Sequence, residues 1–254
     1  MQGAPWRASA AFVLAILTGV LFVPDLGAGI SDPVFSIEAR DYAETSSCTF
    51  SVGFDQGVWI PDTQTYTWSL AAPLEMSDNG MLIATLVSAS VTIEMSPTPV
   101  MDMDVEVVAE DDHAKFYADS PLVDFATIPA DEAVGSFSVV LSVWDDGGGG
   151  FMAQGLSWSG AGVGQSYYNG AKPGGTLFSH LVGGASGANW AIVPDDYEGP
   201  IDTDVYSMRI HDAFVLTQGD RARVETTFGI VPEPAGLMLL ALGGALMGGR
   251  RRGA

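Results

Sequence analysis

The chain of 254 residues carries 31 acidic and 10 basic residues, a formal net charge of −21, 47% hydrophobic residues and one cysteine. That charge excludes nucleic acid as a partner, because nucleic-acid binding depends on neutralising phosphates with Lys and Arg, and it disfavours docking on anionic lipid. The lone Cys48 excludes an intramolecular disulfide.

The chain opens with Arg7 and an uncharged run from Ala8 to Val23, followed by the small residues Gly27, Ala28 and Gly29. A basic start, an apolar segment and small residues near a cleavage point describe a secretory signal peptide. We therefore expect an N-terminal signal helix over residues 1–29, cleaved after Ala28 or Gly29 by the Sec-type export machinery. A retained N-terminal anchor is the alternative.

Residues 30–230 then form the mature region, long enough to bury a core in one domain. Of the acidic residues only Asp25 and Glu233 lie outside 31–230, and of the basic ones Arg7 and Arg250 to Arg252 do, so this stretch is close to −23. It reads as β throughout, with alternating runs rich in Val, Ile, Thr, Phe, Tyr and Trp. Strands are expected near 47–54, 65–70, 81–95, 100–109, 114–118, 135–144, 151–158, 177–181, 188–193, 205–216 and 222–230. Asp78-Asn79-Gly80 is a hairpin turn signal, expected between the strands at 65 and 81. Asp145-Asp146-Gly147 is another turn. No stretch shows a sustained helical period. The fold class is thus all-β, an antiparallel β-sandwich, jelly-roll-like or immunoglobulin-like. Glycines concentrate from Gly147 to Gly187, and residues 159–175 read as a surface excursion of a single domain. Alternation in Cys48-Thr49-Phe50-Ser51-Val52 marks Cys48 as a small hydrophobe on an inward face.

Motifs of known chemistry are absent. His113, His180 and His211 have no metal-ligand spacing, and residues 155–160 lack the spacing of a nucleophile elbow. The alternating Asp102, Asp104 and Glu106 place three carboxylates on one strand face. Among the acidic clusters, Asp195, Asp196 and Glu198 with Asp202 and Asp204 are the best candidate for oxygen ligation of a calcium ion in loops. Otherwise no cofactor is expected, and these acids are a solvated face. Of the aromatics, Trp59 beside Pro61 and Tyr167-Tyr168 in the Gly-rich segment are expected to be exposed and to stack on sugar rings, whose faces are apolar. The other tryptophans read as core anchors.

The chain ends with Val231-Pro232-Glu233-Pro234, an apolar run of Leu, Met, Ala and Gly from Ala235 to Gly249, and Arg250-Arg251-Arg252. The prolines hold their neighbours extended. The apolar run is short for a bilayer span of about 20 residues, and the arginines hold its end on the cytoplasmic side. This arrangement over 231–254 resembles the PEP-CTERM sorting signal of bacterial exosortase substrates. The resemblance implies an exosortase-type processing enzyme as partner and a short transmembrane helix as a transient inner-membrane anchor. It also implies export to the cell envelope, cell surface or an exopolysaccharide matrix. It assigns no activity. Three readings follow for the mature domain: a non-catalytic structural or adhesive envelope protein, an exopolysaccharide-binding module assisted by Ca2+, or a hydrolase with a dispersed site.

Overall fold

A computed structural model of the chain describes residues 29–96, 98–110, 113–146, 148–156, 162–170 and 176–232. The expected signal helix and the sorting signal from Glu233 onward, with Arg250, Arg251 and Arg252, lie outside the described residues. Strand pairing runs from Gly29 to Pro232, so Val231 and Pro232, the first residues of the expected signal, close the last strand of the domain.

Among the described residues eighteen strands form. In chain order they are β1 (Gly29–Ile30), β2 (Phe35–Arg40), β3 (Ser47–Val52), β4 (Val58–Ile60), β5 (Thr65–Ser69), β6 (Leu74–Asp78), β7 (Met81–Glu94), β8 (Val100–Ala109) and β9 (Ala114–Asp119). There follow β10 (Val123–Ile128), β11 (Ala133–Trp144), β12 (Phe151–Gly155), β13 (Gly164–Tyr168), β14 (Thr176–Leu181), β15 (Gly184–Gly187), β16 (Trp190–Pro200), β17 (Val205–Leu216) and β18 (Arg221–Pro232). All pairings are antiparallel, and a ten-stranded and an eight-stranded sheet pack face to face. The all-β sandwich is the expected class. Its 18 strands exceed the roughly seven to nine of an immunoglobulin domain and the eight or so of a jelly roll.

In the eight-stranded sheet the order is β16-β11-β18-β8-β7-β5-β4, with β6 also on β7. Its long strands obey the period of two. On β8, Met101, Met103, Val105, Val107 and Ala109 are buried, while Asp102, Asp104 and Glu106 point outward on one face, as their spacing requires. Arg223 grips Asp104 through two bonds of 2.9 and 2.6 Å, and Thr227 donates to Asp102 at 2.6 Å. Between the sheets lie Phe35, Phe116, Phe137, Phe214 and Phe228, all fully buried. Each such ring is worth about 1.5–3 kcal/mol by area removed from water.

Several expectations change. The Asp78-Asn79-Gly80 turn joins β6 to β7, not the strand at 65, because Leu74–Asp78 pairs with the start of β7. Asn79 and Gly80 take φ of +50° and +85°, which a tight hairpin of this kind demands at both positions. Strands β1, β2, β4, β6, β10, β13 and β15 were not expected. Of these, β13 corrects the surface-excursion reading within its own span: Gly164, Gln165, Ser166 and Tyr167 are buried in the ten-stranded sheet, between β14 and β17, while 159–161 and 171–175 lie outside the described residues. The small residues there serve close packing. A Cβ on Gly164 would lie 2.5 Å from Val139 Cγ2 of the opposing sheet. Cys48 is half-buried beside Phe50, on the face that ends in buried Val52, as its alternation suggests.

Among the described residues strand β16 pairs with β11 alone and forms an edge. Ile201 N donates to Ala133 O, so the odd positions bond inward and the even ones face away from β11. Both prolines, Pro194 and Pro200, sit at even positions, where no donor is needed, and blunt this edge against a further strand.

Candidate functional site

At the open side of the sandwich, the start of β14 faces β16 across a cleft of about 340 Å³. Its walls are Tyr168, Thr176, Leu177, Phe178, Tyr197, Pro200, Asp202 and Thr203. Three strands and one turn deliver these side chains. Tyr168 ends β13, Thr176 to Phe178 begin β14, Tyr197 lies on β16, and Asp202 and Thr203 form the turn into β17.

Phe178 is the hinge between cleft and core. Its ring stacks on Phe228 at 5.5 Å and meets Tyr197 at 5.3 Å with a 58° tilt. It occupies the space above Gly135, where a Cβ would lie 2.4 Å from the ring. Gly135 is therefore a requirement of the cleft wall rather than of a turn. Tyr197 is 46% exposed and presents its ring to solvent. Burial, and then the Asp202 carboxylate, hold the Tyr168 hydroxyl above its ordinary pKa, while a hydrogen bond with Thr176 opposes them. Tyr168 thus stays a neutral donor. Among the described residues no lysine or arginine lines the cleft.

This arrangement offers aromatic faces beside hydroxyls and one carboxylate. Ring faces take the apolar side of a sugar, and a carboxylate accepts strong hydrogen bonds from hydroxyls. The volume lies within the roughly 300–1,000 Å³ of ligand pockets.

The fold redistributes the candidates chosen from sequence. Tyr168 lines the cleft, but Tyr167 is buried, its hydroxyl donating to Gln165 Oε1 at 2.5 Å. Adjacent residues on a strand point to opposite faces, so the pair cannot act together. Trp59 is 36% exposed on the edge strand β4, far along the eight-stranded sheet from the cleft, and packs on Phe54 at 6.5 Å.

The acidic candidates do not form one loop cluster. Asp195, Asp196 and Glu198 lie on β16, opposite Val139, Ser138 and Ser136, so Asp195 faces away from Asp196 and Glu198. Asp195 accepts from Val182 N at 3.1 Å and Asp204 from Ala130 N at 3.1 Å, which commits both to backbone groups. Asp202 alone joins the cleft. Among the described residues no three His, Cys, Asp or Glu side chains converge to hold a metal ion.

Of the cleft residues only Tyr168 and Asp202 were sequence candidates; the aromatic pair Phe178 and Tyr197 escaped sequence reasoning. Tyr197 sits inside an acidic run that draws attention to its carboxylates. Phe178 reads as an ordinary core residue until the sheets are stacked. A separate polar group lies on β17, where His211 Nδ1 and Arg209 each meet Asp119 Oδ1 at 2.8 Å. Its imidazole is buried, and no hydroxyl or thiol bonds to His211 Nε2 among the described residues.

Neither a protein-family model nor a curated protein matches the chain. Among solved structures, it is similar to the CBM22-1–GH10 modules of Clostridium thermocellum xylanase Xyn10B in complex with xylohexaose. The match has 11% identity, covers 70% of this chain and 27% of that one, and has a TM-score of 0.26. It is also similar to TmCBM61 in complex with β-1,4-galactotriose, at 12% identity over 55% of this chain and 91% of that one, TM-score 0.23. The infectious bursal disease virus VP2 subviral particle matches at 10% identity over 78% and 56%, TM-score 0.26. At such scores none of these likenesses bears on what this chain binds.

Proposed function

We propose that this chain is an exported, non-catalytic protein of the bacterial envelope or extracellular matrix whose β-sandwich adheres to polysaccharide through the cleft. The carrying observation is the convergence of Tyr168, Phe178 and Tyr197 on Asp202 and two threonine hydroxyls. Ring faces supply stacking, and the polar groups supply orientation. The net charge of −21 supports a ligand other than nucleic acid.

Delivery rests on the two ends of the sequence. The N-terminal segment sends the chain through the Sec-type machinery. The Pro232-Glu233-Pro234 tail holds it at the inner membrane until an exosortase-type enzyme removes the anchor. Replacing Pro232, Glu233 and Pro234 with alanine is expected to leave a membrane-held protein of higher intact mass in the producing cells. Normal maturation of that variant would sink the sorting assignment.

For the cleft, the test is retention of the purified 29–232 region on polysaccharides in affinity electrophoresis. Tyr197→Ala is expected to weaken binding about threefold or more, in keeping with the loss of one stacking face. Asp202→Asn is expected to weaken it through loss of a charge-assisted acceptor. Both side chains are exposed, so melting should shift by less than about 1 kcal/mol equivalent. Equal retention of wild type and both variants would reject the cleft as the binding site.

A further inference from the structure

A second aromatic surface lies on the other face of β16. Trp190 is 62% exposed and stands directly opposite Trp144 of β11. Opposed residues of this kind bring their Cβ atoms within about 5.5 Å. Both point away from the core, since Phe137, Val139, Leu141 and Val143 of β11 are the buried set. Trp144 is in turn opposite Arg221 of β18, whose guanidinium sits 4.7 Å over its ring. Glu106 and Asp146 each hold Arg221 at 3.4 Å. One tryptophan is thereby clamped in place, and its neighbour is left open to solvent.

We propose that Trp144 and Trp190 form a second glycan platform, independent of the cleft, that takes polysaccharide chains lacking acidic groups. Farther along the same outward face, beyond buried Ser142 and the Val140–Pro194 row, lie Ser138 and Ser136 on β11 and Asp196 and Glu198 on β16. An aromatic pair at one end of a strand pair and hydroxyls and carboxylates farther along the same face suit a chain of sugar rings. A protein partner fits poorly. With Ile192, only two or three apolar side chains are exposed here, against about 20–30 residues a side in a stable protein interface.

Charge selects the class of glycan. Both arginines of this face are engaged by acids, Arg221 as above and Arg223 by Asp104 at 2.6 Å and Glu225 at 2.9 Å. Asp196 and Glu198 have no ion pair among the described residues. An acidic polymer meets repulsion, and a neutral or amine-bearing one does not.

The platform and the cleft use opposite faces of one strand, with Trp190 and Tyr197 about 23 Å apart at the rise of an extended chain. Resting on the polysaccharide reading of the cleft, the consequence is bivalency: one molecule holds two glycan chains and cross-links a matrix. Bivalent engagement raises avidity without any new contact.

The experiment is affinity electrophoresis of the full 29–232 region against cellulose derivatives, chitosan and alginate. It uses wild type, Trp190→Ala, Trp190→Phe, Tyr197→Ala and the Trp190→Ala/Tyr197→Ala double variant. We expect Trp190→Ala to weaken binding to the neutral or amine-bearing polymer about threefold or more, Trp190→Phe to restore most of it, and the double variant to lose nearly all. Trp190→Ala weakened with Tyr197→Ala unchanged would uphold the platform and reject the cleft. Tyr197→Ala weakened with Trp190→Ala unchanged would overturn the platform and leave the cleft standing. Preference for alginate would overturn the charge selection, and binding to none of the three would overturn both sites.

Discussion

Replacing Phe228 with alanine is expected to destabilise the domain by about 3–5 kcal/mol, the range for removing a buried aromatic ring. Phe228 is fully buried and touches both sheets. It meets Phe137 of its own sheet edge-on at 6.0 Å, and Phe178 of the opposing sheet stacks on it at 5.5 Å. Transfer and cavity costs add when such a ring is removed. For a domain of this size each kcal/mol moves Tm by roughly 2–4 °C, so a fall of about 10 °C is expected in a thermal melt. The loss reaches the cleft as well. Without Phe228 beneath it, the Phe178 ring is free to sink, and Tyr197 loses the partner that sets its tilt. Glycan retention measured well below the melting range should therefore fall with Phe228→Ala and be largely kept with Phe228→Leu, which preserves an apolar filling. A Phe228→Ala protein melting within 2 °C of wild type would show that this contact does not join the two sheets as described.

Asp212→Asn is expected to do the opposite at neutral pH. Asp212 is fully buried between the sheets, and Thr226 Oγ1 lies 3.0 Å from each of its oxygens. Burial raises its pKa well above 3.8, the Thr226 hydrogen bond opposes this, and the Asp119 charge adds to it. A carboxyl with a raised folded pKa holds its proton more tightly in the folded chain. Its contribution to stability is complete below about pH 3.8 and is lost as pH rises toward and through the raised folded value. The amide has the same shape, keeps an oxygen that accepts from Thr226 and never ionises. The stability of Asp212→Asn relative to wild type should thus rise between pH 4 and pH 8, by on the order of 1–3 kcal/mol, the cost of burying a polar group without full compensation. Repulsion among the many surface carboxylates affects both proteins alike and cancels in the difference. Parallel melting curves of the two proteins across this pH range would mean that Asp212 ionises in the fold without penalty.

The alternating strands were legible because the period of two is a property of a few consecutive residues. Met101 to Ala109 alternates with Asp102, Asp104 and Glu106, and that pattern alone placed the acids on an outward face. Cys48, Phe50 and Val52 were legible in the same way. The Gly-rich segment misled because glycine marks both a turn and a close approach. At Gly164 and Gly135 the reason for glycine lies in the opposite sheet or an overlying ring, at Val139 and Phe178, far away in sequence.

By itself, the sequence determined an acidic, all-β domain, with inward and outward faces readable strand by strand. Only the tertiary structure decided which side chains meet. Register puts Trp144 opposite Trp190, and sheet stacking brings Phe178 to Tyr197 across the mouth of the cleft. The same packing split the acidic run Asp195 to Glu198 between two faces and committed Asp204 to a backbone amide. Alternation follows from local backbone geometry, whereas pairing and stacking follow from long-range closure of the chain. Binding surfaces made by closure are therefore read only after the strands have found their partners.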